Sequence, residues 1–235
     1  SAASSAHSTP MLSLQAVRRP PLLESFRLRC LQTASTSNND DDVRFAVELK
    51  YDGMALALRY CAVSRALLSA ATRGDGHTGE LISPSTLRAL LPSLPSHLPS
   101  HVPLPPASTV LEVRGELCLS LPEFRRLEQR TALYRSPRNA VAGLLRNETP
   151  PECQLSFIAY GLPGPAVSHS ERVQLMKQLQ FQTCAFGEGN LTWDQVMERV
   201  ERWRTMQNRA EQVQFETDGL VIKVESHELA EAMGS

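Results

Sequence analysis

The chain has 235 residues, 42% of them hydrophobic, and its formal net charge is −1. This length suits one large domain or two small ones. The near-neutral charge excludes a global basic field, so any nucleic-acid binding must rest on local patches. No apolar run approaches the roughly 20 residues that span a bilayer, which predicts a soluble protein without a membrane partner. The five cysteines include no C-x-x-C pair, which argues against a zinc site and predicts a reducing, intracellular compartment.

The amino-terminal segment, residues 1–42, is rich in serine, threonine and asparagine and ends in three aspartates. We expect a short helix over 21–29 and a solvated loop over 35–42. The first alternating apolar run begins after this loop. A lead-in segment of residues 1–42 is therefore predicted to precede a domain that spans 43–235.

Two alternating apolar runs, 44–50 and 54–61, flank the dipeptide Asp52-Gly53. Asp-Gly is a strong hairpin signal. The runs are therefore predicted to form antiparallel strands joined by a tight turn, and a third strand over 63–72 is predicted to continue the meander.

Lys50 lies at the end of the first of these strands, with Glu48 and Asp52 two residues away on either side. Burial disfavours an ammonium group, whereas nearby carboxylates favour it. A lysine poised between these effects is a candidate amine nucleophile. The alternative interpretation is an exposed hairpin with ordinary charges at its rim, and this short motif by itself does not decide between the two.

The loop over 72–80 contains three glycines and begins with Thr72-Arg73. Glycine lets a backbone adopt positive φ and pass close to a ligand, whereas His77 is expected to be exposed to solvent. Farther along, residues 91–107 include six prolines. This composition predicts a polyproline-like surface insertion, with a PxxP motif for a partner protein as the alternative.

A strand is predicted over 109–119, where alternation places Glu112, Arg114 and Glu116 on one face. These side chains are expected to point into water or into a polar cleft.

Two helices are predicted after this strand. Ser120 is expected to cap the first, which ends near Leu133. Ser136 caps the second, with Pro137 in the first helical position. Arg138 then lies at the positive end of the helix, where the macrodipole disfavours a cation. We therefore expect an anion beside Arg138.

The last third of the chain ends in an apolar strand that carries Lys223. A lysine is rarely buried without a partner, so Lys223 is a second candidate functional cation. Snorkelling of its side chain to the sheet edge is the alternative. The elements predicted in this third are strand 154–162, helix 168–179, edge strand 181–186, helix 192–212 and strand 215–225.

Six stretches resemble motifs of the nucleotidyltransferase domain of the NAD-dependent DNA ligases, and they occur along the chain in the same order as in that family. HSTPMLSL at 7–14 resembles the HxxPMLSL segment that lies just ahead of that domain. TRGDGHTGE at 72–80 is the most specific, because it separates this family from ATP-dependent ligases and capping enzymes. The other stretches are KYDG at 50–53, LEVRGE at 111–116, SPRNAVAGLLR at 136–146 and DGLVIKV at 218–224.

The resemblance implies an α+β nucleotidyltransferase fold, an ATP-grasp-like adenylation domain with antiparallel sheets and flanking helices around a nucleotide cleft. It implies that Lys50 attacks the α-phosphorus of NAD to form lysyl-AMP, that Asp52 assists, and that Lys223 holds the α-phosphate. It also implies a Mg²⁺ ion at Asp52 and Glu116. The residues implied to bind the nucleotide are Ser13, Leu14, Glu48, Arg73, Glu116 and Lys223.

The implied function is the sealing of nicks in double-stranded DNA during replication and repair, by a monomer that uses NAD. Arg138 and Arg146, eight apart on one helix, are implied to contact phosphate at the nick. The implied compartment is the bacterial cytoplasm or nucleoid, with an organelle or a nucleus as alternatives.

The family pattern extends beyond both ends of this chain. Ahead of HxxPMLSL the family has a small domain that grips the nicotinamide half of NAD, and after the Lys223 strand it has a KFP strand and several DNA-encircling domains. Val141 and Leu144 also replace the Ala and Ser of the family helix. We therefore expect a fragment or truncated homologue with weak or no self-adenylation by NAD. Two alternatives stay open: a non-catalytic nucleotide- or DNA-binding remnant, and an ATP-dependent nucleotidyltransferase.

Overall fold

The structure is a computed structural model that describes residues 3–11, 14, 17, 20–36, 43–105, 109–131, 133–147, 152–164, 167–184, 187–206 and 212–234. Strands and helices alternate irregularly along these residues. In chain order they are β1 (Ser4–Ala6), α1 (Pro20–Thr36), β2 (Phe45–Tyr51), β3 (Met54–Cys61), β4 (Leu67–Thr72), β5 (Thr78–Glu80), α2 (Pro84–Leu90), β6 (Val110–Cys118), α3 (Leu121–Arg130), α4 (Pro137–Arg146), β7 (Ser156–Gly161), α5 (His169–Gln178), β8 (Gln182–Thr183), β9 (Glu188–Leu191), α6 (Trp193–Thr205), β10 (Thr217–Val224) and α7 (His227–Ala232).

In the described residues the strands form three sheets. The largest has the order β4-β3-β6-β7-β8, the second has the order β10-β2-β9, and β1 pairs with β5. Neighbouring strands are antiparallel, except that β8 runs parallel to β7 at the sheet edge. The predicted α+β class with several antiparallel sheets is confirmed at this level.

The predicted hairpin at Asp52-Gly53 is wrong. Strand β2 pairs with β10 and β9, whereas β3 pairs with β4 and β6, so the two strands belong to different sheets. A Cβ atom on Gly53 would lie 2.2 Å from the carbonyl oxygen of Leu117. Glycine is therefore needed because the chain passes against the backbone of β6 as it crosses from one sheet to the other. Only the β3–β4 part of the predicted meander is confirmed.

Several predicted bounds also differ from the structure. The third strand begins at Leu67 instead of 63, because residues 62–64 form a turn and Arg65 adopts a positive φ of 64°. The predicted helix over 21–29 is the longer α1, which extends to Thr36 and takes up the start of the predicted loop. The helix predicted to reach Leu133 ends at Arg130. Two other predicted elements, the loop 35–42 and the helix 192–212, lie partly outside the described residues, at 37–42 and at 207–211.

Helix starts follow the predicted capping pattern. The side chains of Ser120, Ser136, Ser168 and Thr192 each accept a hydrogen bond from the backbone N–H three residues later. Such caps satisfy a donor that the first turn of a helix leaves unpaired. This local rule explains why α3, α4, α5 and α6 begin where the sequence predicts.

Apolar side chains form clusters on both sides of a gap between the two larger sheets. The main cluster packs β3, β6 and β7 against α2, α3, α4 and α5. A second cluster packs α1, α6 and α7 against β2. A smaller cluster that includes Leu49, Ile158 and Phe215 joins the two sheets. The two sheets are thus tied by a narrow apolar contact, and the polar residues described below lie beside it.

The proline-rich segment does not behave as a free surface insertion, which corrects that prediction. Its apolar residues Leu91, Leu98 and Val102 are each 3% exposed and belong to the main cluster. The hydroxyl of Tyr60 donates a hydrogen bond to the carbonyl of Pro95 at 2.8 Å. The prolines prevent a ladder or a helix, but they leave the leucines between them free to pack.

Within the described part of the chain, no helix combines the length and the hydrophobicity that crossing a membrane requires.

Candidate active site

Lys50, on the central strand β2 of the three-stranded sheet, forms an ion pair with the neighbouring edge strand β10. Its Nζ atom is 2.6 and 2.8 Å from the two carboxylate oxygens of Asp218 on β10. The β2–β10 register shifts between Thr217 and Gly219, so Asp218 is the extra residue of a bulge. A bulge re-aims a side chain, and this one presents the carboxylate to Lys50. The two side chains are 38% and 49% exposed, so a ligand can reach them.

Glu48 is buried on the same face of β2, where it forms a different ion pair. Its carboxylate is 2.6 Å from the Nζ atom of Lys223 and 2.9 Å from Nε2 of His169. Burial opposes ionisation of Glu48, but Lys223 and His169 together outweigh burial and lower its pKa to about 2. Glu48 is therefore an anion that holds Lys223, and it does not serve as the partner of Lys50.

Lys223 is partnered on two sides. Besides Glu48, its Nζ atom donates to the backbone carbonyl of Tyr160 at 3.1 Å and lies 5.8 Å from the centre of the Tyr160 ring. Its side chain is only 25% exposed. These contacts favour a partnered, partly buried lysine over snorkelling of the Lys223 side chain to the sheet edge.

Asp52, the other carboxylate close to Lys50 in sequence, binds Arg138. The distance from Nη1 of Arg138 to the Asp52 carboxylate is 2.9 Å. Arg138 lies in the first turn of α4, so the anion expected there is supplied by the protein itself. Glu48 and Asp52 flank Lys50 in sequence, but the expectation that they act as its partners is wrong, because each carboxylate pairs with a cation from a distant segment.

Glu116 on β6 lies at the centre of a group of cations. Burial raises its pKa to about 7, although the positive charges of Arg138, Lys50 and Arg73 and the backbone N–H of Gly53 act in the opposite direction. The structure therefore brings Lys50, Arg73 and Arg138 close enough to act on one half-buried carboxylate.

Asp52 and Glu116 are also the two carboxylates predicted to bind Mg²⁺. Both raise the pKa of the buried Cys118 thiol, in addition to the effect of burial, so they lie near the same point. The described residues contain no group of three or more His, Cys, Asp or Glu side chains that could hold a metal ion. A cation at this point would need oxygen ligands from water or from a bound phosphate. The burial that raises the pKa of Glu116 fits a position where an added positive charge is favourable.

Three predicted site residues are not brought into this group by the described part of the chain. Arg146 is exposed at the last residue of α4, about 12 Å along the helix from Arg138. Leu14 is 59% exposed, and Ser13 lies outside the described residues. Their roles stay predictions.

Three residues with prominent contacts received no role from the sequence. They are Asp218, His169 and Tyr160. Asp218-Gly219 directly before an apolar strand is a signal for a bulge, so Asp218 could have been found. Nothing local marks His169, the first residue of α5, or Tyr160, whose backbone carbonyl accepts from Lys223.

An apolar cavity of about 50 Å³ lies behind β2. Val47 and Leu49 of β2 line it together with Trp203 and Leu220. Because side chains alternate along a strand, this cavity lies on the face of β2 opposite to Lys50. It is separate from the polar cluster.

Comparison with known proteins identifies relatives over nearly the whole chain. A family model described as the NAD-dependent DNA ligase adenylation domain matches residues 2–235. The DNA ligase of Thermomicrobium roseum is 33% identical over an alignment that covers 97% of this chain and 33% of the ligase. A DNA ligase of Synechococcus sp. is 34% identical, with 97% and 34% covered. The chain thus spans about a third of the length of these relatives.

Among solved structures, a mycobacterial DNA ligase D complexed with ATP and MES is similar, with a TM-score of 0.40 and 15% identity. The similarity covers 78% of this chain and 49% of that one.

Proposed function

The chain belongs to the family of NAD-dependent DNA ligase adenylation domains, and we propose on this basis that it transfers AMP from NAD to Lys50. The observation that carries the proposal is the accessible Lys50–Asp218 pair, 2.6 Å long, with Lys50 close enough to the half-buried Glu116 to lower the pKa of that carboxyl. A reactive amine, a proton acceptor and several cations for phosphate are thereby gathered at one place.

In the proposed step the Nζ atom of Lys50 attacks the α-phosphorus of NAD. A phosphorus–nitrogen bond forms, and the phosphorus–oxygen bond to nicotinamide mononucleotide breaks. Attack requires a neutral amine, so the ammonium must first lose a proton. Asp218 supports this step as the acceptor already in hydrogen-bond contact with Lys50.

The proposed nucleotide pocket includes Glu48, Arg73 and Lys223, with Ser13 and Leu14 at its wall. Lys223 is in register with Ala46, four residues before Lys50 on β2. This register supports a place for Lys223 beside Glu48 in the proposed nucleotide pocket. To hold the α-phosphate, its Nζ atom has to leave Glu48 and move toward Lys50.

Asp52 and Glu116 are the residues that we propose to hold Mg²⁺, which when bound would neutralise charge on the transferring phosphoryl group. Arg138 and Arg146 are proposed to bind a phosphate of nicked double-stranded DNA, as positioning contacts. Arg138 then exchanges Asp52 for that phosphate. Nick sealing in replication and repair is the proposed activity of the whole ligase.

Mass spectrometry of the intact chain after incubation with NAD and Mg²⁺ tests the proposal. We expect a slow mass increase of one AMP, located on Lys50. The chain has three lysines, Lys50, Lys177 and Lys223. Lys50→Arg should lose the adduct, whereas the matched variant Lys177→Arg, on the exposed side of α5, should retain it.

The same measurement distinguishes the alternatives. An adduct that forms with ATP but not with NAD would identify an ATP-dependent nucleotidyltransferase. Absence of any adduct with either nucleotide, in a chain that still binds NAD, would identify a non-catalytic remnant. Either outcome contradicts the proposal.

A further inference from the structure

A buried carboxylate far from Lys50 organises two arginines on the large sheet. Glu112 on β6 is 3% exposed. Its Oε2 atom accepts from Nε and Nη2 of Arg59 on β3, both at 3.1 Å. Its Oε1 atom accepts from Nε of Arg114 at 2.9 Å. We call Glu112, Arg59 and Arg114 the polar clamp.

The polar clamp binds residues 3–11, which we call the strap, through four backbone groups and through the hydroxyls of Ser5 and Thr9. Arg114 donates to the carbonyls of Pro10, at 3.1 Å, and of Thr9. Arg59 donates to the carbonyl of Ala6 and to the hydroxyl of Ser5. Glu112 also accepts from the backbone N–H of Ser8 at 3.2 Å. Contacts to backbone groups do not depend on which side chains the strap carries. Docking of the strap therefore depends mainly on the side chains of the polar clamp.

The strap in turn holds the loop that carries Arg73. Strand β1 of the strap pairs with β5 at the end of the loop. The backbone N–H of Met11 donates to the carbonyl of Gly76 at 2.7 Å, and the backbone N–H of His7 donates to the carbonyl of His77 at 2.8 Å. Nε2 of His7 lies 3.0 Å from the carbonyl of Arg73 itself. The conformation of the loop is therefore set from the strap side.

Two glycines of the loop fit this arrangement closely. A Cβ atom on Gly76 would lie 3.2 Å from the carbonyl oxygen of Met11, and one on Gly79 would lie 1.7 Å from the carbonyl oxygen of Thr72. The loop is thus pressed between the large sheet and the strap. Because the strap contacts the loop at Arg73, Gly76 and His77, we expect a displaced strap to alter the position of Arg73.

We propose that Glu112 is a positioning residue for nucleotide binding: through Arg59, Arg114 and the strap it holds the 73–80 loop so that Arg73 faces the cleft. The inference rests on the proposed function, because the placement of Arg73 matters only if the cleft takes a nucleotide. Glu112 itself touches neither the nucleotide nor Lys50. Its effect is expected on nucleotide affinity, since an interaction made equally in ground and transition states alters binding and leaves the rate at saturation unchanged.

Glu112→Gln tests this role with two independent readouts. The amide keeps the size of the carboxylate but presents an NH₂ group to one guanidinium. We expect amide hydrogen exchange at His7 and Met11 to accelerate about ten-fold or more, while amides of β7 keep their rates. The NAD dissociation constant, measured by calorimetry, should rise about ten-fold or more, with the adenylation rate at saturating NAD within about two-fold of the wild type.

Arg114→Lys is the second variant, in case Glu112→Gln does not fold. A lysine keeps the charge but cannot contact Glu112 and two carbonyls at once, because it lacks the planar fork. Glu123→Gln, which removes a 3.0 Å ion pair with Arg126 on α3, is the matched control and should change neither readout.

A thermodynamic cycle with Arg73→Ala shows whether Glu112 acts through the loop. In the Arg73→Ala background, Glu112→Gln should weaken NAD binding by less than about two-fold further. Additive losses, unchanged exchange at His7 and Met11, or faster exchange with unchanged NAD affinity would each overturn the inference. A wild-type chain that binds NAD but forms no adduct contradicts the proposed function alone, because the comparison of dissociation constants is unaffected.

Discussion

Two ion pairs link β2 to β10 on the same face of the three-stranded sheet, and they differ in their access to water. Both have a closest distance of 2.6 Å, but Lys50 and Asp218 are 38% and 49% exposed, whereas Lys223 and Glu48 are 25% and 6% exposed. An exposed pair contributes about 0–1 kcal/mol, whereas removing one partner of a buried pair costs about 3–5 kcal/mol. Equal closest distances therefore support different roles. The exposed pair is open to exchange with a ligand, whereas the buried pair contributes more to holding β2 beside β10 and separates at a larger cost when Lys223 turns to a ligand.

Glu48→Ala tests the buried pair and has the largest expected effect. It leaves Lys223 and His169 without their anion, and we expect the free energy of unfolding to fall by about 3 kcal/mol. The value is at the lower end of the usual range because Lys223 regains some hydration. Urea unfolding measures the loss. Asp218→Ala is the matched variant on the exposed pair and should cost about 0–1 kcal/mol. Equal losses in the two variants would mean that burial does not separate the pairs.

Asp218→Asn tests whether the carboxylate of the exposed pair takes part in the chemistry. The amide still accepts a hydrogen bond from Lys50 but takes no proton, so we expect the adenylation rate at saturating NAD to fall about 100-fold. Stability should stay within about 1 kcal/mol of the wild type. Single-turnover kinetics followed by mass spectrometry measures the rate. A wild-type rate in this variant would rule out Asp218 as the proton acceptor.

The third prediction is that the free energy of unfolding depends on pH through the ionisation of Glu48 in the buried pair. The folded pKa of Glu48 is lowered to about 2, below its unfolded value of about 4.3. The stability that this provides is therefore complete above the unfolded pKa and is lost as the pH falls toward 2. We expect a loss of about 2 kcal/mol between pH 5 and pH 3, measured by urea titrations at each pH. Glu48→Gln should have a smaller slope over this range, and an unchanged slope would contradict the assignment.

Local rules predicted the elements better than they predicted their partners. The capping residues and the strand that carries Lys50 follow from patterns within a few residues. The assignment of β2 and β3 to one hairpin failed because alternation shows which side chains share a face, not which strand lies alongside. A glycine after an aspartate suits a tight turn, but it equally suits a chain that passes close to the backbone of β6.

The same limit applies to the candidate site. Motif resemblance identified Lys50, Asp52, Glu116 and Lys223 as a set. Shared electrostatic effects link the first three in the structure, whereas Lys223 contacts Glu48 and Tyr160. Which anion holds which cation could not be predicted, because every pair joins segments far apart in sequence. The buried leucines among the prolines were missed for a related reason. Proline content predicts that a segment cannot form a regular helix or strand ladder, but it does not predict which residues the segment packs against.

The pairing of β2 with β10 has a consequence for the order of assembly. Lys50 and Asp218 are 168 residues apart along the chain, and Glu48 and Lys223 are 175 apart. Closing so long a loop is a slow event in folding, since its entropy is lost before the distant contacts form. During synthesis, Lys50 emerges long before the strand β10 that completes its surroundings. We therefore expect that a refolding chain gains its capacity to accept AMP in its slowest kinetic phase, after the β3–β4–β6 sheet has formed.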